Sequence, residues 1–238
     1  MPIQMSERLK RIADEIPNGA FFADIGSDHA YLPCYVCLRD EKARAIAGEV
    51  AKGPYLNALN TVKKHRLESR VDVRFGDGLG VIEEDEPVDV IVIAGMGGNL
   101  IRNILYKGKE KLKHVQKLIL QPNNNEATVR KVLLELQFVL TNEIILEENG
   151  LIYEILIAEA DAHKINSDPY DKIHFEKQLM FGPYLLQEKP TLFIKKWQEE
   201  HRRLEKTIMQ MKQSDSAEAR EKIESFSTKL KWIEEAIS

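Results

Sequence analysis

The strongest constraint on the fold is an alternation. Apolar, β-rich runs at Phe21–Ile25, Arg44–Glu49, Val71–Phe75, Val88–Ala94 and Lys117–Gln121 are interleaved with stretches of helical spacing near 31–40, 54–66, 99–113 and 125–136. Such a succession reads as a doubly wound α/β chain. Two further runs, Phe138–Leu146 and Leu151–Glu159, have no helix between them. Glu147-Glu148-Asn149-Gly150 joins them, and Asn-Gly marks a tight hairpin, so the last pair of a seven-stranded sheet is predicted to be antiparallel.

After Ala160 the pattern changes. Asn166-Ser167-Asp168-Pro169 reads as a linker, and a short helical part around 171–187 is broken by Gly182-Pro183. Ile194, Trp197, His201, Leu204, Ile208 and Met211 then recur at steps of three and four, as do Ile223, Phe226, Leu230, Ile233 and Ile237. Asp215 as N-cap with Glu218 at N3 is a capping box that restarts the helix. These features predict two domains, an α/β domain over residues 1–162 and an antiparallel α-helical coiled-coil hairpin over 163–238. Each arm spans only about three heptads, so the seam is expected to close within a monomer.

Charge narrows the partners. Residues 1–162 hold 20 basic and 25 acidic side chains, and residues 163–238 hold 14 and 13. A purely electrostatic nucleic-acid binder is more basic, so RNA contact requires local patches. Candidates are Lys63-Lys64-His65-Arg66, the lysines at 107, 109, 111 and 113, and Lys195-Lys196 with Arg202-Arg203. No apolar run is long enough for a membrane span, and Met1–Ser6 lacks the apolar region of a secretory signal, so a cytoplasmic location is expected. Cys34-Tyr-Val-Cys37 has no second ligand pair. It is read as two reduced thiols on a helix face, with no metal site.

The stretch carrying most chemical information is Phe22-Ala23-Asp24-Ile25-Gly26-Ser27-Asp28-His29-Ala30-Tyr31-Leu32-Pro33, directly after the first strand. In an open α/β sheet this turn receives a nucleotide-like cofactor. A dinucleotide fingerprint needs three glycines, and here Asp28 and Tyr31 occupy two of those places. Carboxylates repel a pyrophosphate but tolerate a cationic sulfonium with an amino acid tail, which favours S-adenosyl-L-methionine. Glu49, with Val50 after it, ends the second strand where a carboxylate reaches ribose hydroxyls. Asp77, beside Gly78, follows the third strand and is suited to the adenine amine. Ala94-Gly95-Met96-Gly97-Gly98 permits close approach after the fourth, and Gln121-Pro122-Asn123-Asn124-Asn125 presents amides to a base edge after the fifth.

Asp24 to Pro33, Gly76-Asp77-Gly78-Leu79, Ala94-Gly95-Met96-Gly97-Gly98 and Leu120-Gln121-Pro122-Asn123 together resemble the bacterial tRNA adenine-N1 methyltransferases of the TrmK family. The resemblance covers essentially the whole chain. It implies a Rossmann-like seven-stranded class I methyltransferase sheet with a C-terminal coiled-coil domain, and transfer of a methyl group from S-adenosyl-L-methionine to N1 of adenine 22 in tRNA. The expected cofactor contacts are Asp24, Gly26, Ser27, Asp28, His29, Glu49, Val50, Asp77, Gly78, Ala94, Gly95, Met96 and Gly97. The expected catalytic group is Asp28, to offset the charge of the methylated base, with His29 and Tyr31 to orient or stack the base and Asn123 to bond its edge. Two other readings stay open at this level: a methyltransferase of a small molecule or protein, and a non-catalytic RNA-binding protein. A chain ending near Ala160 is expected to keep the sheet and bind the cofactor.

Overall fold

The computed structural model describes residues 3–160, 169–213 and 216–238. Its α/β part runs α1 (Glu7–Asp14), β1 (Phe21–Ile25), α2 (Tyr31–Arg39), β2 (Arg44–Glu49), α3 (Lys52–His65), β3 (Val71–Phe75), β4 (Val90–Met96), α4 (Gly98–Lys107), β5 (Lys117–Pro122), α5 (Glu126–Glu135), β6 (Val139–Glu148) and β7 (Leu151–Glu159). A single sheet has the order β3-β2-β1-β4-β5-β7-β6. β1 to β5 are parallel, and β7 enters antiparallel between β5 and β6. Asn149 and Gly150 both take positive φ, 52° and 77°, as the tight hairpin requires. The fourth strand begins and ends two residues later than expected, because Val88 lies in the approach and, after a bulge at Gly95, Met96 pairs with Pro122.

Burial explains why these runs are strands. β4 and β5 are covered on both faces and read as almost unbroken apolar sequence, whereas edge strand β3 alternates buried Val71 and Val73 with exposed Asp72. Side chains with period two divide the core: Val90 and Val92 face a layer built with α1, α2 and α3, while Ile91 and Ile93 face one built with α4 and α5. Cys34 and Cys37 are free and buried in the first layer, and burial pushes their thiols up to about 12 and about 11.

The C-terminal part comprises α6 (Phe175–Phe181), α7 (Pro183–Glu188), α8 (Thr191–Met211) and α9 (Ala217–Ile237). Gly182, at φ 86°, turns the chain between α6 and α7. α8 and α9 run antiparallel, since Trp197 shares a cluster with Ile233 and Ala236, and His201 lies 3.2 Å from Glu234. Ser216 caps α9 by accepting from the Ala219 N–H. This moves Glu218 to N2, where it pairs with Lys222 rather than closing a capping box. Asp215 and residues 166–168 of the expected linker lie outside the described residues.

These helices are joined to the sheet by a buried ionic cluster. Arg130 of α5, with no exposed surface, donates to Glu143 of β6 at 2.7 Å, to Glu154 of β7, and to the carbonyls of Leu179 and Met180. Lys196 of α8 reaches Glu154 at 2.7 Å and also pairs with Glu126. Burial raises Glu143, while Glu154, also penalised by burial, ends below its ordinary value because Lys196 and Arg130 both face it. A chain cut near Ala160 would leave this cluster open and uncover Ile145, so the C-terminal helices are bonded into the sheet they cover. Arg130→Ala should leave Glu143 buried without a cation and Glu154 with Lys196 alone, and lower unfolding free energy by about 3–5 kcal/mol, measured by urea denaturation.

Candidate active site

The parallel strands all deliver their carboxyl ends to one edge, and the order reverses between β1 and β4, the switch point at which open α/β sheets bind their ligands. β1 leads into Gly26, at φ 72°, whose N–H donates to Gly48 O at 2.9 Å, as does that of Ser27 at 3.2 Å. A Cβ on Gly26 would collide with the Met96 side chain. The next three residues, Asp28, His29 and Ala30, all take left-handed φ values, 41°, 70° and 57°. Each departs from the conformation that L side chains prefer. The run ends as Ala30 starts α2, placing the rings of His29 and Tyr31 in a stack with centroids 5.3 Å apart.

Two acids face this turn from below. Asp24 is buried and accepts a 2.6 Å hydrogen bond from Ser27 Oγ. Burial, with help from Glu49 and Asp28, pushes its carboxyl up to about 7. Glu49 is also buried and raised by burial, against the backbone N–H groups of Asp28 and His29, which pull it down. Its Oε1 has no hydrogen-bond partner. A buried acceptor without a donor is costly unless a ligand supplies one. Two ribose hydroxyls would do so, and on that ground these residues fit S-adenosyl-L-methionine.

The other expected residues divide. Ala94 and Met96 are half-buried and Gly95 is exposed, with Gly97 capping α4. Asn123 joins them: its Nδ2 donates to Gly95 O at 2.8 Å, and its backbone N–H to Met96 O at 2.7 Å. Val50 is exposed beside Glu49. Asp77 and Gly78 rim a separate pocket of about 280 Å³ against α4, where Asp77 pairs with Lys107 instead of turning toward the other acids. Gln121 was expected to offer its amide to a base edge, but it is completely buried and its amide is spent on Gly95, Pro122, Asn123 and Arg8. Among the basic patches, Lys196 is consumed in the ionic cluster, Lys195 is bound to Glu147, and Arg203 to Glu200. Arg8 was not anticipated, since nothing in the amphipathic α1 distinguishes it from Arg11. Among the described residues no group of three or more His, Cys, Asp or Glu is arranged to hold a metal.

Sheet order, the final antiparallel hairpin, a one-glycine turn and acids ending β1 and β2 define a class I methyltransferase fold using S-adenosyl-L-methionine. The family model for tRNA (adenine(22)-N(1))-methyltransferases matches residues 22–235, and the chain belongs to this TrmK family. It is 43% identical over 236 residues to the tRNA (adenine(22)-N(1))-methyltransferase of Bacillus subtilis, covering 99% of this chain and 98% of that protein. The crystal structure of B. subtilis M1A22 tRNA methyltransferase TrmK matches with a TM-score of 0.91 at 42% identity, over 99% of this chain and 100% of that one. A Streptococcus pneumoniae protein solved in complex with S-adenosyl-L-methionine matches at 0.86 and 39% identity, over 99% and 100%.

Because the folded state raises the Asp24 carboxyl from 3.8 to about 7, it binds the proton more tightly than the unfolded chain. The stability contributed by Asp24 is therefore full below pH about 4 and lost as pH rises through about 7. Asp24→Asn, which still accepts from Ser27, should remove that dependence and be more stable than the parent at pH 8, as compared by denaturation at several pH values.

Proposed function

We propose that this chain methylates N1 of adenine 22 in tRNA at the switch point between β1 and β4. The observation that carries the reading is the buried, unpartnered Glu49 Oε1 beside the Gly26 turn, an acceptor waiting for ribose hydroxyls. Bound there, S-adenosyl-L-methionine supplies a methyl group that the N1 lone pair takes as the carbon–sulfur bond breaks, its electron pair remaining on sulfur. The residues of the chain bind, orient and compensate charge. Glu49 holds the ribose, Asp24 and Ser27 the amino acid tail, Val50 flanks the adenine, and Asp77 with Gly78 takes its amine once Lys107 lets go. Ala94, Gly95, Met96 and Gly97 provide backbone that a ligand can approach closely.

The target base must leave its pairing or stack for N1 to become accessible. His29 and Tyr31 offer a stacking surface, Asn123 a bond to the base edge, and Asp28 a carboxylate for the positive charge that methylation creates. Residues 1–162 form the catalytic domain in this reading, and 163–238 a coiled-coil hairpin that adds tRNA contacts. A cleft of about 810 Å³ lies beside the site, lined by Asn123–Asn125 and by residues of α8 and α9; Lys131, Lys229 and Trp232 line it together with Glu126, Glu176, Glu199 and Glu200, so any phosphate contact there is confined to the lysines. With Lys195 and Lys196 committed to carboxylates, phosphates would meet Arg202 and the cations of this cleft.

Incubation with labelled cofactor and unmodified tRNA, followed by nucleoside analysis, should yield 1-methyladenosine at position 22. Absence of product from a folded, cofactor-binding protein would overturn the substrate. Glu49→Ala should weaken cofactor binding by about tenfold or more, the scale of hydrogen bonds to a charged acceptor, in titration calorimetry. Asp28→Ala should keep the fold but lose most methyl transfer; a wild-type rate would reduce Asp28 to a turn residue.

A further inference from the structure

Arg8 takes no part in that reading, yet it touches the site. Its side chain, about one-fifth exposed, reaches from α1 across the end of the sheet. The guanidinium lies 4.8 Å from the Tyr153 ring, and its Nε is 3.8 Å from Glu148 and has no hydrogen-bond partner. Nη1 sits 3.6 Å from where a Cβ on Gly95 would be and donates to Gln121 Oε1.

From that contact a chain of fixed amides runs to the site. Gln121 Oε1 also accepts from the Gly95 N–H at 3.0 Å, so both its lone pairs are taken by donors. Reversing this buried amide would set its NH₂ against two donors. Its Nε2 therefore stays turned the other way, donating to Pro122 O at 2.8 Å and to Asn123 Oδ1 at 3.2 Å. Asn123 is fixed in turn, receiving at Oδ1 and giving one Nδ2 proton to Gly95 O. What remains free on this exposed residue is one Oδ1 lone pair and one N–H.

We propose that Arg8 is a positioning residue for methyl transfer: through Gln121 it holds Asn123 so that the free Oδ1 lone pair accepts from the exocyclic amine of the target adenine. This rests on the role given to Asn123 above. The chemical requirement is directional. An oxygen facing the amine leaves N1 unbonded for attack, whereas a reversed amide would present an N–H that repels the amine and can tie up the N1 lone pair.

The test is single-turnover methylation by the full-length chain of tRNA carrying adenosine or purine riboside at position 22. Purine riboside keeps N1 and lacks the amine, and its lower N1 basicity is common to every variant. Arg8→Ala should slow transfer to adenosine by about tenfold to a hundredfold, as misplacement of a reacting group does. Cofactor and tRNA affinities should stay within about twofold and the adenosine-to-purine rate ratio should fall about tenfold, the value of one hydrogen bond; free guanidinium ion should restore part of both. Gln121→Glu gives a second variant that keeps the acceptor for Arg8 and the Gly95 N–H but confronts Asn123 with an acceptor. It too should lose the ratio while remaining folded. A wild-type ratio in Arg8→Ala, whether or not the rate falls, overturns the relay. Asn123→Ala separates the two levels: loss of the ratio there with retention in Arg8→Ala removes Arg8 alone, and retention in Asn123→Ala removes both.

Discussion

A guanidinium cannot shed its charge, so an arginine without solvent contact dictates what surrounds it. Arg130 draws a carboxylate from each strand of the terminal hairpin and two carbonyls from the end of α6. Those partners tie together the antiparallel end of the sheet, the helix that covers it and the C-terminal helices. Gly182 has to be glycine here, because it takes φ 86° and a Cβ would run into Glu143 and Arg130. Replacement of such a cluster by apolar residues can be neutral in stability. What the charges add is a single geometry, and α5 begins at Glu126, one residue after the asparagine turn that borders the site.

The site itself is an electrostatic arrangement waiting for a cation. Burial denies Asp24 and Glu49 the water that would stabilise their charges, and neighbouring carboxylates add to it: Glu49 and Asp28 help raise Asp24, and Asp28 helps raise Glu49. A positively charged ligand reverses the balance by favouring ionised carboxylates, so its arrival is coupled to proton release. The same acids repel a pyrophosphate. Cofactor choice is thus written in the charge of the floor as well as in the shape of the turn.

Much of this was legible in the chain. β1, β2, β3 and β7 match their expected limits residue for residue: β1 and β2 are short, largely buried runs, edge strand β3 alternates buried and exposed residues, and the Asn149-Gly150 turn fixes where β7 begins. Asp24, Gly26 and Glu49 were legible because strand ends beside a switch point are where ligands bind. Side-chain commitments were not legible. Lys195 and Lys196 look like a basic patch until Glu147, Glu126 and Glu154 arrive from distant segments, and Gln121 looks available until Gly95 and Arg8 claim it. Glu154 was a signal passed over: a lone carboxylate amid the apolar residues of β7 has to be matched from somewhere.

Three successive L residues in left-handed backbone at 28–30 carry a cost that glycine would relieve, of order 1 kcal/mol or more each. At Asp28 and His29 the side chains reach the surface of the site, so glycine there would relax the turn by deleting the groups it displays. If Asp28 and His29 act as proposed, the loop trades stability for activity, and a search for more stable variants at either position would select against methyl transfer. Ala30, buried and showing nothing to a substrate, is the one place in the run where that strain can be released without loss of a functional group.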